Sequence, residues 1–338
     1  MNVLVTGGLG FIGSHTCVEL LNSGNDVIVI DDLSNAKIEV KDYIRKITGK
    51  GIIFYQGNVC DRKIMHKIFE ENKIDATMHF AGFKAVGESV SKPLEYYDNN
   101  ITSTLVLCEI MQEYNCKNLV FSSSATVYGD PEEVPINENS SLGPTTNPYG
   151  TTKLFIEQIL KDLYISDNKW NITILRYFNP IGAHESGLIG ENPNGIPNNL
   201  VPYIVMVANK ELPFLYVYGD DYDTPDGTGI RDYIHVVDLA RGHVSALKKL
   251  DKDNVGIETY NLGTGKGHSV LDIINAFEKA NSIDIPYQIN SRRPGDVAVY
   301  YANPQKAFKE LGFKAEKNID DMMKDSWNFI QTAKQTQE

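Results

Sequence analysis

No apolar run in the 338-residue chain approaches the ~20 residues a bilayer-crossing helix needs. No lysine or arginine precedes Lys37, so the basic start of a signal peptide is missing too, and a cytoplasmic protein without a membrane partner is expected. Basic residues are in deficit: 32 Lys+Arg against 44 Asp+Glu leaves a net charge of −12. That argues against nucleic acid as a partner, because binding it requires a basic face that displaces counterions from phosphates. Cysteine is scarce, and Cys17, Cys60, Cys108 and Cys116 form no CxxC pair; a chain this long needs no disulfide staples. The seven histidines form no HExxH or CxxC-linked cluster, so no metal site is expected. What remains is ordinary globular material, 42% apolar and 22% charged, enough for about two domains with a sizeable core.

Short, largely apolar runs at 3–5, 26–31, 52–56, 76–80, 119–122 and 172–177 read as strands. Helical patterns fill the gaps at 11–21, 62–71, 93–113 and 148–165. Largely apolar strands alternating with helices predict a parallel sheet covered on both faces, a Rossmann-type doubly wound α/β fold. The texture changes after Tyr177. Between 179 and 199, 12 of 21 residues are Asn, Gly or Pro, and a loop that long is usually functional. Beyond it the spacing predicts a smaller α/β lobe, with helices near 201–208, 236–250, 270–280 and 319–332 and a strand at 215–218.

Gly7-Gly8-Leu9-Gly10-Phe11-Ile12-Gly13 satisfies G-x-G-x-x-G between a strand and a helix, the context that gives the pattern meaning. Glycines there allow a tight turn and let a pyrophosphate approach the helix N-terminus. Asp31 follows Gly13 by 18 residues, at the end of the second strand. A carboxylate there takes ribose hydroxyls of NAD and repels the extra phosphate of NADP; Asp32 adds charge, and no arginine stands nearby. Tyr149 and Lys153 are four apart at the start of a helix, hence on one face. A phenol needs its pKa lowered by about 3 units, ~4 kcal/mol, to act as a base near pH 7. A neighbouring ammonium and an oxidised nicotinamide are expected to supply that.

With Gly7 to Gly13, Asp31, Ser122-Ser123-Ser124 and Tyr149-x-x-x-Lys153 in place, the chain resembles the extended short-chain dehydrogenase/reductase family. Longer strings at 79–89, 93–100, 122–129, 175–180, 195–200 and 229–236 narrow the resemblance, over essentially the whole chain, to its branch that inverts C4 of UDP-hexoses. The resemblance implies a 1–178 NAD-binding domain and a 179–338 UDP-sugar-binding domain, with the chain crossing between them. It implies UDP-glucose and UDP-galactose as substrates, tightly bound NAD+, a 4-keto intermediate and a homodimer, formed through the helices at 93–113 and 149–165. Tyr149 would take the 4-hydroxyl proton, Lys153 would hold the cofactor ribose, and Ser124 would bond the reacting oxygen. Gly7, Gly10, Phe11, Ile12, Gly13, Asp31, Asp32, Leu33, Ser34, Asn35, Ala36, Asn58, Val59, Phe80, Ala81, Gly82, Phe83, Lys84, Asn99 and Phe178 would join those three around NAD. Asn179, Asn199, Leu200 and Tyr233 would line the sugar-nucleotide site, and Tyr216, Val217 and Tyr218 would border the uracil. Arg231 and Arg293 would grip the diphosphate, and Asp296 the uridine ribose. Placed arginines of this kind reconcile an acidic chain with an anionic substrate.

The chain departs from the family pattern in three places. Asn58 replaces an Asp that holds the adenine amino group, and its amide oxygen is expected to accept in its stead. Tyr218 replaces a Phe against the uracil, and the segment 293–300 is offset by one residue. Tyr300 resembles the bulky gate that excludes an N-acetyl group, favouring UDP-glucose and UDP-galactose over UDP-GlcNAc and UDP-GalNAc. A 4,6-dehydratase would need an Asp-Glu pair where Ala125-Thr126 stands, and a non-catalytic NAD sensor would have no need of Tyr149 and Lys153.

Overall fold

The computed structural model describes residues 1–192, 197, 199–293 and 295–335; Gly195, Ile196 and Asn198 of the 195–200 string lie outside them. The first half runs β1 (Asn2–Thr6), α1 (Phe11–Asn22), β2 (Asp26–Asp31), α2 (Val40–Thr48), β3 (Ile53–Gln56), α3 (Arg62–Glu71), β4 (Ala76–His79), α4 (Val86–Ser91), α5 (Pro93–Glu113), β5 (Asn118–Ser124), α6 (Pro148–Ser166) and β6 (Asn171–Tyr177). Then follow β7 (Asn179–Ile181), α7 (Leu200–Ala208), β8 (Leu215–Tyr218), β9 (Ile230–His235), α8 (Val236–Lys252), β10 (Ile257–Leu262), β11 (Gly267–Ser269), α9 (Val270–Asn281), β12 (Tyr287–Asn290), β13 (Val299–Tyr300), α10 (Gln305–Leu311) and α11 (Ile319–Gln335).

The main sheet has seven parallel strands in the order β10-β6-β5-β4-β1-β2-β3. Val3, Leu4 and Val5 are wholly buried because both faces are covered. One face packs on α1, α2 and α8, the other on α3, α5 and α6. The strand order reverses between β1 and β4, and ligands of open sheets bind in the crevice such a reversal creates. The strand β10 comes from the second half of the chain and completes this sheet beside β6. The remaining elements build a smaller lobe, in which β7, β9, β11 and β13 form one sheet and β8 pairs with β12. Its core gathers Ile204, Val217, Ile273, Phe277 and Met323.

Two expected boundaries move. The strand expected at 119–122 runs on to Ser124, because Ser123 and Ser124 pair with Arg176 and Tyr177 of β6. The Asn/Gly/Pro-rich stretch opens with a short strand, β7, that pairs with β9. The helices α2, α4 and α10 and the strands β9 to β13 lie outside the expected elements.

Candidate active site

The chain leaves β1 into a turn that has room only for glycine at two positions. Gly7 sits at φ +67, and a Cβ on Gly13 would lie 2.2 Å from the Gly7 carbonyl oxygen. The helix α1 then starts with no capping side chain and no acidic residue in its first turn. Its opening N–H groups and positive dipole end are thus available to an anion. At the tip of β2 the buried Asp31 accepts from Leu9 N at 3.0 Å and Leu33 N at 2.9 Å. Burial pushes its carboxyl above the usual range, and those two bonds pull part of that back. A glycine turn, an uncapped helix start and a buried carboxylate fit the pyrophosphate and ribose of a dinucleotide.

Asp32, Ser34, Asn35 and Ala36 follow on the same rim, where Asp32 accepts from Ser34 N at 2.9 Å. Asn58 behaves differently from the expectation. Its amide nitrogen donates to Asp32 at 3.0 Å, and its oxygen already accepts from Cys60 N at 2.8 Å. An Asp at 58 would face Asp32 as like charge, whereas Asn turns the contact into a hydrogen bond. Val59 beside it is buried. Across the crevice, the loop after β4 carries Phe80, Ala81, Gly82, Phe83 and Lys84. Asn100 fixes that loop, accepting from Phe83 N at 2.7 Å and donating to Phe83 O at 3.1 Å, while Asn99 donates to Asn100. Lys84 pairs with Glu191 at 2.8 Å, and Asn199 donates to the same carboxylate oxygen at 3.3 Å. Glu191 thereby ties an expected cofactor loop to an expected substrate loop.

Asn147 caps α6 by accepting from Gly150 N at 2.8 Å, and Pro148 pre-sets its first turn. Tyr149 and Lys153 therefore project from the first two turns toward the end of β5. There Lys153 Nζ donates to Ser122 O at 2.7 Å and lies 5.9 Å from the Tyr149 ring centre. Ser124 adjoins the Tyr149 phenol and draws its proton affinity down, and Ser124 Oγ accepts from Thr126 Oγ1 at 3.0 Å. The three expected catalytic groups are brought together.

Their proton affinities without the cofactor are set mainly by burial. Burial raises the Tyr149 phenol above its ordinary value, and Ser124 only partly opposes it. Burial lowers Lys153 to about 8, against an opposing pull from the Glu157 carboxylate. The Lys153 ammonium is held by a carbonyl rather than by the phenol oxygen, so desolvation dominates. The protein alone does not make the phenolate. A unit charge ~4 Å away at an effective dielectric near 20 is worth ~4 kcal/mol, so one further cation beside the ring would.

The expected sugar-nucleotide residues form a second group. Asn179 starts β7 and pairs with Tyr233 of β9, which is buried. Arg231 lies 3.7 Å from Asp296, and the Arg293 guanidinium stacks 4.0 Å over the Tyr218 ring. Tyr216 and Tyr218 lie side by side on β8, flanking buried Val217, and Leu200 opens α7. Tyr300 donates to Ala125 O at 2.5 Å, and its ring meets Phe178 at 5.8 Å, which links this group to the end of β5.

Sequence reasoning missed Asn100, Thr126, Glu157 and Glu191. Only Glu157 carried a legible signal, a second four-residue step along the face that holds Tyr149 and Lys153.

The chain matches the NAD dependent epimerase/dehydratase family over residues 3–263. It is 56% identical to a UDP-glucose 4-epimerase of Bacillus subtilis (strain 168), covering 97% of this chain and 96% of that one. Among solved structures, UDP-glucose 4-epimerase from Bifidobacterium longum in complex with NAD+ and UDP superposes with a TM-score of 0.95 at 58% identity, over 98% of each chain. UDP-glucose-4-epimerase from Stenotrophomonas maltophila, with bound NAD and formylated UDP-arabinopyranose, gives 0.97 at 48% identity over 99% of each.

Proposed function

The chain belongs to the NAD dependent epimerase/dehydratase family, and from that premise we propose that it interconverts UDP-glucose and UDP-galactose by inverting C4 with bound NAD+. The observation that carries this reading is the convergence of Tyr149, Ser124 and Lys153 where β5 meets the start of α6. Bound NAD+ supplies a positive ring beside the phenol and the capacity to take the C4 hydrogen and return it to the opposite face. The chain's residues do the rest. Tyr149 accepts the proton of the sugar 4-hydroxyl and returns it; Ser124 bonds the same oxygen and keeps it in line. Lys153 adds positive charge under the ring and anchors a cofactor ribose. Arg231 and Arg293 hold the diphosphate, Asp296 takes the uridine ribose, and Tyr218 offers its free face to the uracil. In this reading the seven-stranded domain binds NAD and takes α8 and β10 from beyond the expected 178/179 boundary, while the remaining elements of 179–338 bind the UDP-sugar.

Purified protein incubated with UDP-galactose and no added NAD should form UDP-glucose over many turnovers. Dependence on added NAD in proportion to product would mark a simple dehydrogenase and end the reading.

Sugar choice falls to Tyr300, whose hydroxyl is pinned to Ala125 O and whose ring abuts Phe178. Tyr300→Ser should raise turnover of UDP-GlcNAc by ~10-fold or more, the scale of opening a pocket by several atoms. Wild-type protein that handles UDP-GlcNAc as fast as UDP-galactose would remove Tyr300 from that role.

The working form is a homodimer. On α5, Leu94, Tyr97, Ile101 and Leu105 fall on one stripe; Leu94 is 81% exposed and Leu105 41%. Phe155 of α6, 49% exposed, continues the stripe through its ring contact with Tyr97. A second copy covers this face, so Leu105→Lys/Phe155→Lys should sediment as a monomer, and a wild-type monomer would refute the pairing. The four cysteines are free thiols, which supports a reducing cytoplasm as the place of work.

A further inference from the structure

Beneath Lys153 lies a charged pair that the reaction scheme does not use. Glu157 is wholly buried on the next turn of α6. Arg176 of β6 grips it with two prongs, Nε at 2.9 Å and Nη2 at 2.6 Å. Ser123 donates to the same carboxylate at 2.6 Å. Arg176 also donates to the Tyr128 hydroxyl at 2.9 Å, and Tyr128 donates to buried Asn261 at 2.6 Å.

A buried ion pair is weak support for stability, since desolvation offsets most of the attraction. Two well-packed apolar residues would hold α6 against β6 as firmly. What they would lack is a negative charge one helical turn from a buried lysine. Lys153 is only 5% exposed, and burial favours its neutral amine. The other groups facing it are Ser122 O and the Phe121 ring at 4.9 Å on β5, Tyr149 on its own helix, and His79 of β4, which burial lowers to about 3 and leaves neutral. Among the described titratable groups that face it, Glu157 is the carboxylate.

We propose that Glu157 is a positioning residue for the epimerisation: clamped by Arg176 and Ser123, its carboxylate keeps Lys153 an ammonium and holds the Ser122–Ser124 strand end against Tyr149. Arg176 orients that carboxylate through its two-pronged grip. The inference rests on the Tyr149–Lys153 reading above.

The sign of its effect follows from the charge. A lysine pulled down by burial loses its proton as pH rises, so wild-type kcat should fall on an alkaline limb. Glu157→Gln keeps the shape and removes the charge. The limb should then move down by about one pH unit or more, while KM for UDP-galactose and bound NAD stay near wild type. A change in fold stability alone would lower the melting temperature and leave the limb where it was. Because Gln would leave Arg176 buried and unpaired, the companion variant is Glu157→Gln/Arg176→Gln, which removes both charges. If Glu157 serves only to neutralise Arg176, the double variant recovers the wild-type limb, and the proposal is overturned. If it sets the proton affinity of Lys153, the double variant keeps the lowered limb. Wild-type protein is the control: no epimerisation there would refute the function itself, separately from the role of Glu157.

Discussion

Tyr149→Phe should be purified with its NAD in place and should convert UDP-galactose at least ~10² more slowly than wild type, the typical worth of a positioned general base. The change removes one oxygen. Phenylalanine keeps the ring volume and the packing over Lys153, and Lys153 keeps its bond to Ser122 O. Ser124 keeps Thr126 as a partner, so the strand end is undisturbed. What disappears is the group that takes the 4-hydroxyl proton, and water in its place lacks the proximity of a fixed base. The loss should fall on kcat, with KM little changed, because the arginines and the Tyr218 ring hold the nucleotide. The two measurements are cofactor released on denaturation and the rate of UDP-glucose formation. Near-normal turnover with full cofactor would take Tyr149 out of the chemistry.

Much of this arrangement is legible in the residues, and for identifiable reasons. A strand buried on both faces has little polar side to disguise it, so β1 and β2 stand out by their apolar stretches at 3–5 and 27–30, and β6 by a largely apolar, β-branched run. The glycine turn and the Tyr149–Lys153 spacing are equally plain, because one needs missing Cβ atoms and the other a helical turn. Long-range pairing is harder to read. β10 lies 80 residues beyond β6 in sequence, and nothing in its own residues says that Tyr260 must sit beside Leu175. The balance of charge around Tyr149 is harder still. Spacing brings the ammonium near but does not reveal that it donates its hydrogen bond to Ser122 O, or that burial outweighs it. Asn58 teaches the same lesson: its chemistry allows an adenine contact, but Cys60 N and Asp32 already claim both ends of its amide. Residue type states what a group can do; the competing partners decide what it does.

Gly13→Ala should lose most of its NAD and, with it, at least ~10² in turnover, although helix propensity alone predicts the opposite effect on stability. Gly13 lies inside α1, where alanine is favoured over glycine by ~1 kcal/mol. Against that gain stands a collision with backbone. The new methyl would lie 2.2 Å from Gly7 O and 2.8 Å from Gly8 Cα, atoms that cannot turn aside as a side chain end could. Overpacking of this kind costs about 1–3 kcal/mol, so the clash wins and the fold should be less stable. Relief requires the turn to open, and the turn is what presents the α1 N–H groups to the pyrophosphate. Gly10→Ala offers a graded comparison, since its Cβ would meet only Gly7 O, at 3.3 Å. Gly51→Ala is the neutral control, with nothing within 4 Å of its Cβ. Cofactor content and melting temperature should therefore rank wild type and Gly51→Ala together, Gly10→Ala below them and Gly13→Ala last. A Gly13→Ala protein that keeps its NAD and gains stability would mean that propensity, not close approach, explains the glycine at that position.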